Sequence, residues 1–141
     1  MSSNVNHNIS FNKAKGTLRG LHYQLSPSTE SKIIRCCRGE IFDVVVDIRK
    51  KSKTYLSVFN INLSSENNLM LFIPFGFAHG FQVLNKNTNI EYYHSDFFVK
   101  GLDSGIFYKD KTLNIQWPLK VTSISKRDKG LPVIDERFDG V

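Results

Sequence analysis

The feature that most constrains this chain is a series of short β-rich segments, each cut off by a polar turn, running from Lys32 to His94. Lys32 to Cys37 predicts a strand closed by Arg38-Gly39. Ile41 to Ile48 follows, dominated by β-branched side chains that suit a pleated surface. After the polar Lys50-Lys51-Ser52-Lys53, the segment Tyr55 to Leu63 alternates, with Tyr55, Phe59, Ile61 and Leu63 on one face and Asn60 and Asn62 on the other. Leu69 to Ile73 predicts a buried strand ending at Pro74. Phe81 to Leu84 and Asn89 to His94 predict two more, joined by Asn85-Lys86-Asn87-Thr88. Turns at roughly ten-residue spacing, with no sustained helical period, predict an all-β antiparallel sandwich or barrel. Ser123 to Lys129 predicts a short helical turn or a loop.

Residues 1–141 have room for one core and are expected to form a single domain. The apolar stretches are too short and too interrupted by charge to span a bilayer. The N-terminus lacks the basic start and apolar centre of a signal peptide, so a cytoplasmic protein without a membrane partner is expected. The two cysteines, Cys36 and Cys37, are adjacent and point to opposite faces of a strand, which disfavours a bridge between them. They also lack the partners of a metal site, so no metal is expected. A net charge of +6 suits an anionic partner. The run Arg49-Lys50-Lys51-Ser52-Lys53 reads as a solvated turn, and no zinc-finger, RNP or helix-turn-helix pattern occurs, so nucleic acid is not the expected anion.

Four side chains have the chemistry for moving a carbon-bound proton. A histidine, His22, can accept it if a carboxylate, Asp128, orients the ring and stabilises the imidazolium. A tyrosine, Tyr92, can return a proton, and a lysine, Lys32, can hold an enolate oxygen. Spacing alone does not show that they meet and favours an ordinary role for each, in the core for His22 and Tyr92 and at the surface for Lys32. If its segment is extended, His22 shares a face with Gly20 and Gln24, and Arg19 reaches that face only through a bend at Gly20. By the same parity Tyr92 and His94 share a face, and His94 is expected to support the site as a structural neighbour.

Three strings carry a specific resemblance. They are Gly16-Thr17-Leu18-Arg19-Gly20-Leu21-His22-Tyr23-Gln24, Gly39-Glu40-Ile41-Phe42-Asp43-Val44-Val45-Val46-Asp47-Ile48-Arg49 and Ile73-Pro74-Phe75-Gly76-Phe77-Ala78-His79-Gly80-Phe81. With Ile115-Gln116-Trp117-Pro118 and Ser125-Lys126-Arg127-Asp128 following in order, the chain resembles the dTDP-4-dehydrorhamnose 3,5-epimerase family from about Asn8 to Asp135. The resemblance implies a cupin-type jelly roll, a homodimer, and no metal or other cofactor. It also implies epimerisation at C3, C5 or both of a nucleoside-diphosphate-linked 4-keto-6-deoxyhexose. His22 would be the base, Asp128 its orienting partner, Tyr92 the acid and Lys32 the enolate-stabilising cation. Arg19 and His79 would bind substrate, with Asn8 and Arg127 toward the nucleotide.

Two departures accompany the resemblance. Family members carry a further N-terminal stretch with an acidic-Arg-Gly-Phe motif for gripping the nucleotide, which is not among these 141 residues. Phe98 stands where a tyrosine is common. Two alternatives stay open at this point: a sugar-nucleotide-binding cupin without activity, and a 3,4-ketoisomerase on the same scaffold.

Overall fold

A computed structural model describes residues 6–28, 30–96 and 99–141; Phe98 lies outside them. Among the described residues nine strands run in chain order: β1 (Asn6–Asn12), β2 (Leu18–Gln24), β3 (Lys32–Arg38), β4 (Glu40–Asp47), β5 (Val58–Ser64), β6 (Met70–Ile73), β7 (Phe77–Val83), β8 (Thr88–His94) and β9 (Asp103–Gly105). They form a four-stranded sheet, β1-β8-β3-β6, and a five-stranded sheet, β5-β4-β7-β2-β9, with antiparallel pairing throughout. The single helix among the described residues, α1 (Lys126–Lys129), is capped by Ser125, whose side chain accepts from the Asp128 N–H. This two-sheet jelly roll is the all-β fold expected.

Alternation along the strands divides the apolar side chains into two clusters. Ile34, Cys36, Ile41, Leu63, Ile73, Phe81, Val83 and Ile90 fill the space between the sheets. Leu21, Val44, Val46, Ile48, Ala78 and Ile106 lie on the other face of the five-stranded sheet, where Trp117, Ile134 and Phe138 of the C-terminal segment cover them. At about 1.5–3 kcal/mol for each large side chain taken out of water, both layers contribute against the loss of chain entropy. The wholly apolar run Val44-Val45-Val46 is explained by this: β4 is covered on both faces.

The structure corrects two expectations. The alternating strand begins at Val58, so Tyr55 lies in the preceding turn, where Leu56 takes a positive φ of 63°. β6 is a half-buried edge strand: Ile73 is 2% exposed, but Phe72 is 63% exposed because, among the described residues, no segment covers the outer face of the four-stranded sheet. The basic turn is solvated as expected: even Arg49, which forks onto both carboxylate oxygens of Asp47 (2.9 and 2.8 Å) and lies over the Phe77 ring, stays exposed. The two cysteines behave as predicted, both free, with Cys36 buried and Cys37 exposed.

Candidate active site

The two sheets close on apolar side chains at one end and leave a polar cleft at the other. From the four-stranded sheet, cross-strand rows bring Asn8, Tyr92 and Ile34 together, and then Asn6, His94 and Lys32. From the five-stranded sheet come Arg19, His22 and Gln24 on β2 and His79 on β7. Two adjoining cavities of about 330 and 310 Å³ result. His22, Lys32, Asn8 and His94 line both; Arg19, His79 and Tyr92 line the inner one, and Arg127 the outer one.

A bulge puts Arg19 and His22 in the same cavity. Arg19 pairs with Phe81 and His22 with His79, so Gly20 and Leu21 together oppose Gly80. The extra residue reverses the alternation, and Arg19 and His22, three apart, come to share a face. Glycine is required on both strands at this crossing. Gly20 has φ +107°, and a Cβ there would sit 2.7 Å from both the Gly80 Cα and the His79 carbonyl oxygen. The expected bend at Gly20 is thus present. His22 and Gln24 do line the cleft, while Leu21 packs into the opposite cluster and Tyr23, packed partly against that cluster, also borders the outer cavity.

The bulge also frees the Gly20 N–H from the ladder, and Asp128 takes it. Gly20 donates to Asp128 Oδ2 at 2.9 Å, and His22 Nε2 lies 2.7 Å from Asp128 Oδ1. Burial pushes the Asp128 carboxyl up, but the bonds from His22, Gly20 and Ser125 outweigh it and hold it below its usual value. An ionised carboxylate only accepts, so Nε2 carries the proton of neutral His22 and Nδ1 keeps the lone pair. Asp128 is 3% exposed, whereas the His22 side chain remains open to the cleft.

Lys32 and Tyr92 meet His22 from the facing sheet. Burial lowers the Lys32 pKa, and the negative charges of Glu30 and Asp43 work against that shift. Burial, with Asp43 adding to it, drives the Tyr92 phenol far above its ordinary pKa, while Arg19 offsets part of the rise. Tyr92 is therefore a neutral O–H donor at any physiological pH. Arg19 Nε donates to Asn12 Oδ1 at 2.9 Å, which fixes the guanidinium at the edge of the inner cavity. Arg127 is held at the outer mouth by Asp103 (2.7 Å).

All eight residues singled out from the sequence thus converge, Asp128 through its bond to His22. Two carboxylates join them that the sequence reading does not single out. Asp43, fully buried, bonds His79 Nε2 at 2.8 Å; burial is the main force holding the His79 pKa below its usual value, against the attraction of Asp43. Glu30 bonds His94 Nδ1 at 2.6 Å. An acid inside the β-branched run Ile41 to Ile48 is the available sign for Asp43; Glu30, in a loop, has none. Among the described residues no group of acids, histidines and cysteines is arranged to hold a metal ion.

Comparison with known proteins gives this geometry a family. The family profile described as dTDP-4-dehydrorhamnose 3,5-epimerase matches residues 1–136. The chain is 48% identical over 114 residues to the dTDP-4-dehydrorhamnose 3,5-epimerase of Shigella flexneri, covering 81% of this chain and 63% of that protein. Among solved structures, the Bacillus anthracis enzyme with TDP and PPi bound superposes with a TM-score of 0.90 at 36% identity, covering 95% of this chain and 77% of that one. The Legionella pneumophila dTDP-6-deoxy-D-glucose-3,5-epimerase in complex with dTDP-4-keto-L-rhamnose gives 0.86 at 40% identity, with 91% and 68% covered. The chain therefore spans under two thirds of the length of the Shigella relative, and the residues lining both cavities lie within the stretch 1–136 that the family profile matches. The chain belongs to the dTDP-4-dehydrorhamnose 3,5-epimerase family.

Proposed function

We propose that this protein epimerises a nucleoside-diphosphate-linked 4-keto-6-deoxyhexose at C3, C5 or both, through an enolate. The observation that carries the reading is the placement of the His22–Asp128 pair on one wall of a cleft and of Tyr92 and Lys32 on the facing wall. A C–H bond beside the C4 ketone is acidic enough to break because its electrons pass into the carbonyl. His22 Nδ1 accepts that proton, and Asp128 stabilises the resulting imidazolium. The Lys32 ammonium donates to the C4 oxygen as it gains charge. Tyr92 then delivers its phenolic proton to the opposite face of the carbon. The configuration inverts, and solvent returns a proton to Tyr92 and removes one from His22. No electron acceptor or further reactant enters the balance.

Arg19, Arg127, Asn8 and His79 supply cationic and polar contacts for the sugar and its diphosphate, in line with the net charge of +6. We read residues 1–141 as one cupin domain that works as a homodimer. The uncovered face of the four-stranded sheet, where Phe11 is 72% and Phe72 is 63% exposed and Ile9 and Met70 accompany them, supports the dimer. A cytoplasmic location fits the two free thiols. Among the described residues no helix is long and apolar enough to cross a membrane.

The test is NMR of the purified protein with dTDP-4-keto-6-deoxyglucose in deuterated water. Deuterium entering C3 or C5 with inversion is expected, and His22→Ala should abolish it at every reactive carbon. Full activity in His22→Ala refutes the assignment of the base. Binding without exchange points to a binding protein, and a displaced carbonyl to a ketoisomerase. Sedimentation velocity tests the dimer, and a monomer at micromolar concentration would refute it.

A further inference from the structure

His94 is placed directly against one of the proposed reacting side chains. It lines both cavities, two residues beyond Tyr92 on the same face of β8 and directly across the ladder from Lys32. Its ring stacks on that of Tyr92, with centroids 5.7 Å apart and planes 17° from parallel. Its Nδ1 lies 2.6 Å from Glu30 Oε1, and both side chains are mostly buried, 18% and 12% exposed. Burial raises the Glu30 pKa, but the bond from His94, the charge of Lys32 and a bond from Gln24 more than reverse this, so Glu30 remains an anionic acceptor. The carboxylate thus fixes the plane of the His94 ring. On its other side Tyr92 packs against the apolar cluster between the sheets.

We propose that the Glu30–His94 pair is a positioning clamp for Tyr92: anchored by Glu30, the imidazole holds the phenol plane so that its hydroxyl is aimed at one face of the bound sugar. The physical need follows from the reaction. Proton return from Tyr92 competes with return from the face on which His22 acts, which restores the starting configuration with a solvent-derived hydrogen. A donor free to swing loses that competition, because displacement by about 1 Å can cost up to a hundredfold in rate. His94 is a positioning residue here, acting through Tyr92, and what distinguishes its effect is a change in the ratio of inversion to exchange.

Two readouts test the clamp, and only the second rests on the epimerase reading. The first is the ring resonances of Tyr92 in protein labelled with 13C-tyrosine, identified by their loss in Tyr92→Phe. The stacked imidazole should shift them, His94→Ala should remove that shift, and His94→Phe, which keeps a ring, should retain most of it. The second is turnover of dTDP-4-keto-6-deoxyglucose in deuterated water. His94→Ala should lower inversion relative to exchange about tenfold, and His94→Phe should restore the ratio to within about twofold. Adding His94→Ala to Tyr92→Phe should cost nothing further in that ratio. Glu30→Gln should lie between wild type and His94→Ala.

The clamp is overturned if the Tyr92 resonances do not move in His94→Ala. It is equally overturned if inversion and exchange fall together, or if the ratio falls further in the double variant. Should the unaltered protein show neither exchange nor inversion, the epimerase reading falls, and the ring shifts alone decide whether His94 holds Tyr92.

Discussion

Asp128→Asn puts the proposed base under a test whose size can be worked from the geometry. The wild-type carboxylate accepts from the Gly20 N–H at 2.9 Å and from His22 Nε2 at 2.7 Å, one bond on each oxygen. Asparagine has the same shape but a single acceptor. If its oxygen keeps the Gly20 N–H, its NH2 group faces Nε2 and forces that nitrogen to accept. The imidazole proton then moves to Nδ1, and the atom aimed at the sugar can no longer take a proton. Positioned acid–base catalysis is worth about 10²–10⁴ in rate, or ~3–5 kcal/mol at 1.36 kcal/mol per tenfold, so exchange should fall by that factor. The folded state should lose less, about 1.5–3 kcal/mol for a charge-assisted bond, reduced because the His22 side chain is 37% exposed. The assay is deuterium incorporation at C3 and C5 by NMR, paired with urea unfolding to show that the variant is folded at the assay temperature. A folded Asp128→Asn protein exchanging at the wild-type rate would refute the pairing of His22 with Asp128 as the proton-removing unit.

Three further outcomes follow from the same fold. Gly20→Ala places a Cβ 2.7 Å from backbone atoms of Gly80 and His79 at φ +107°, so it should destabilise the fold by about 1–3 kcal/mol from backbone strain alone and slow exchange as well; unfolding midpoints and activity unchanged from wild type would mean the bulge is not needed. Lys32→Met should slow exchange at every reactive carbon by about 10²–10³ through loss of enolate stabilisation, with substrate binding by calorimetry affected far less; a selective loss of binding would make Lys32 a diphosphate ligand instead. Asp47, whose pKa is depressed first by Arg49 and then by Ser52 and Thr54 against the effect of burial, should contribute stability above its unfolded value of 3.8 that is lost as pH falls. Urea midpoints measured from about pH 5 down to pH 3 should drop, more shallowly in Asp47→Asn, and identical slopes would show that Asp47 does not drive the acid sensitivity.

How much of the fold and the site is legible in the amino-acid sequence depends on the kind of signal each element leaves. β4 and β8 can be read because β-branched and alternating residues report burial directly. β1 is harder: Asn6-His7-Asn8 carries no apolar alternation, Ile9 and Phe11 alternate but stay exposed, and the strand is held by pairing with β8. β6 reads as buried because Leu69 to Ile73 is apolar, but residue type does not say which face of a sheet another layer will cover. The local chemistry of His22 and Tyr92 is visible in the strings around them. The anchoring of His94 is not: parity puts it beside Tyr92, but its carboxylate partner, Glu30, lies 64 residues earlier.

The sequence by itself determined an all-β antiparallel fold, the residues able to move a proton and, through its long strings, the family to which they point. These follow from side-chain type and from the two-residue period of a strand, both of which are local. Only the tertiary structure decided that His22 meets Asp128, 106 residues away, and that Arg19 shares its cavity. The first depends on where the C-terminal segment docks on the outer face of the five-stranded sheet. The second depends on one residue gained at Gly20 against β7, and a change of register exists only once two strands have paired.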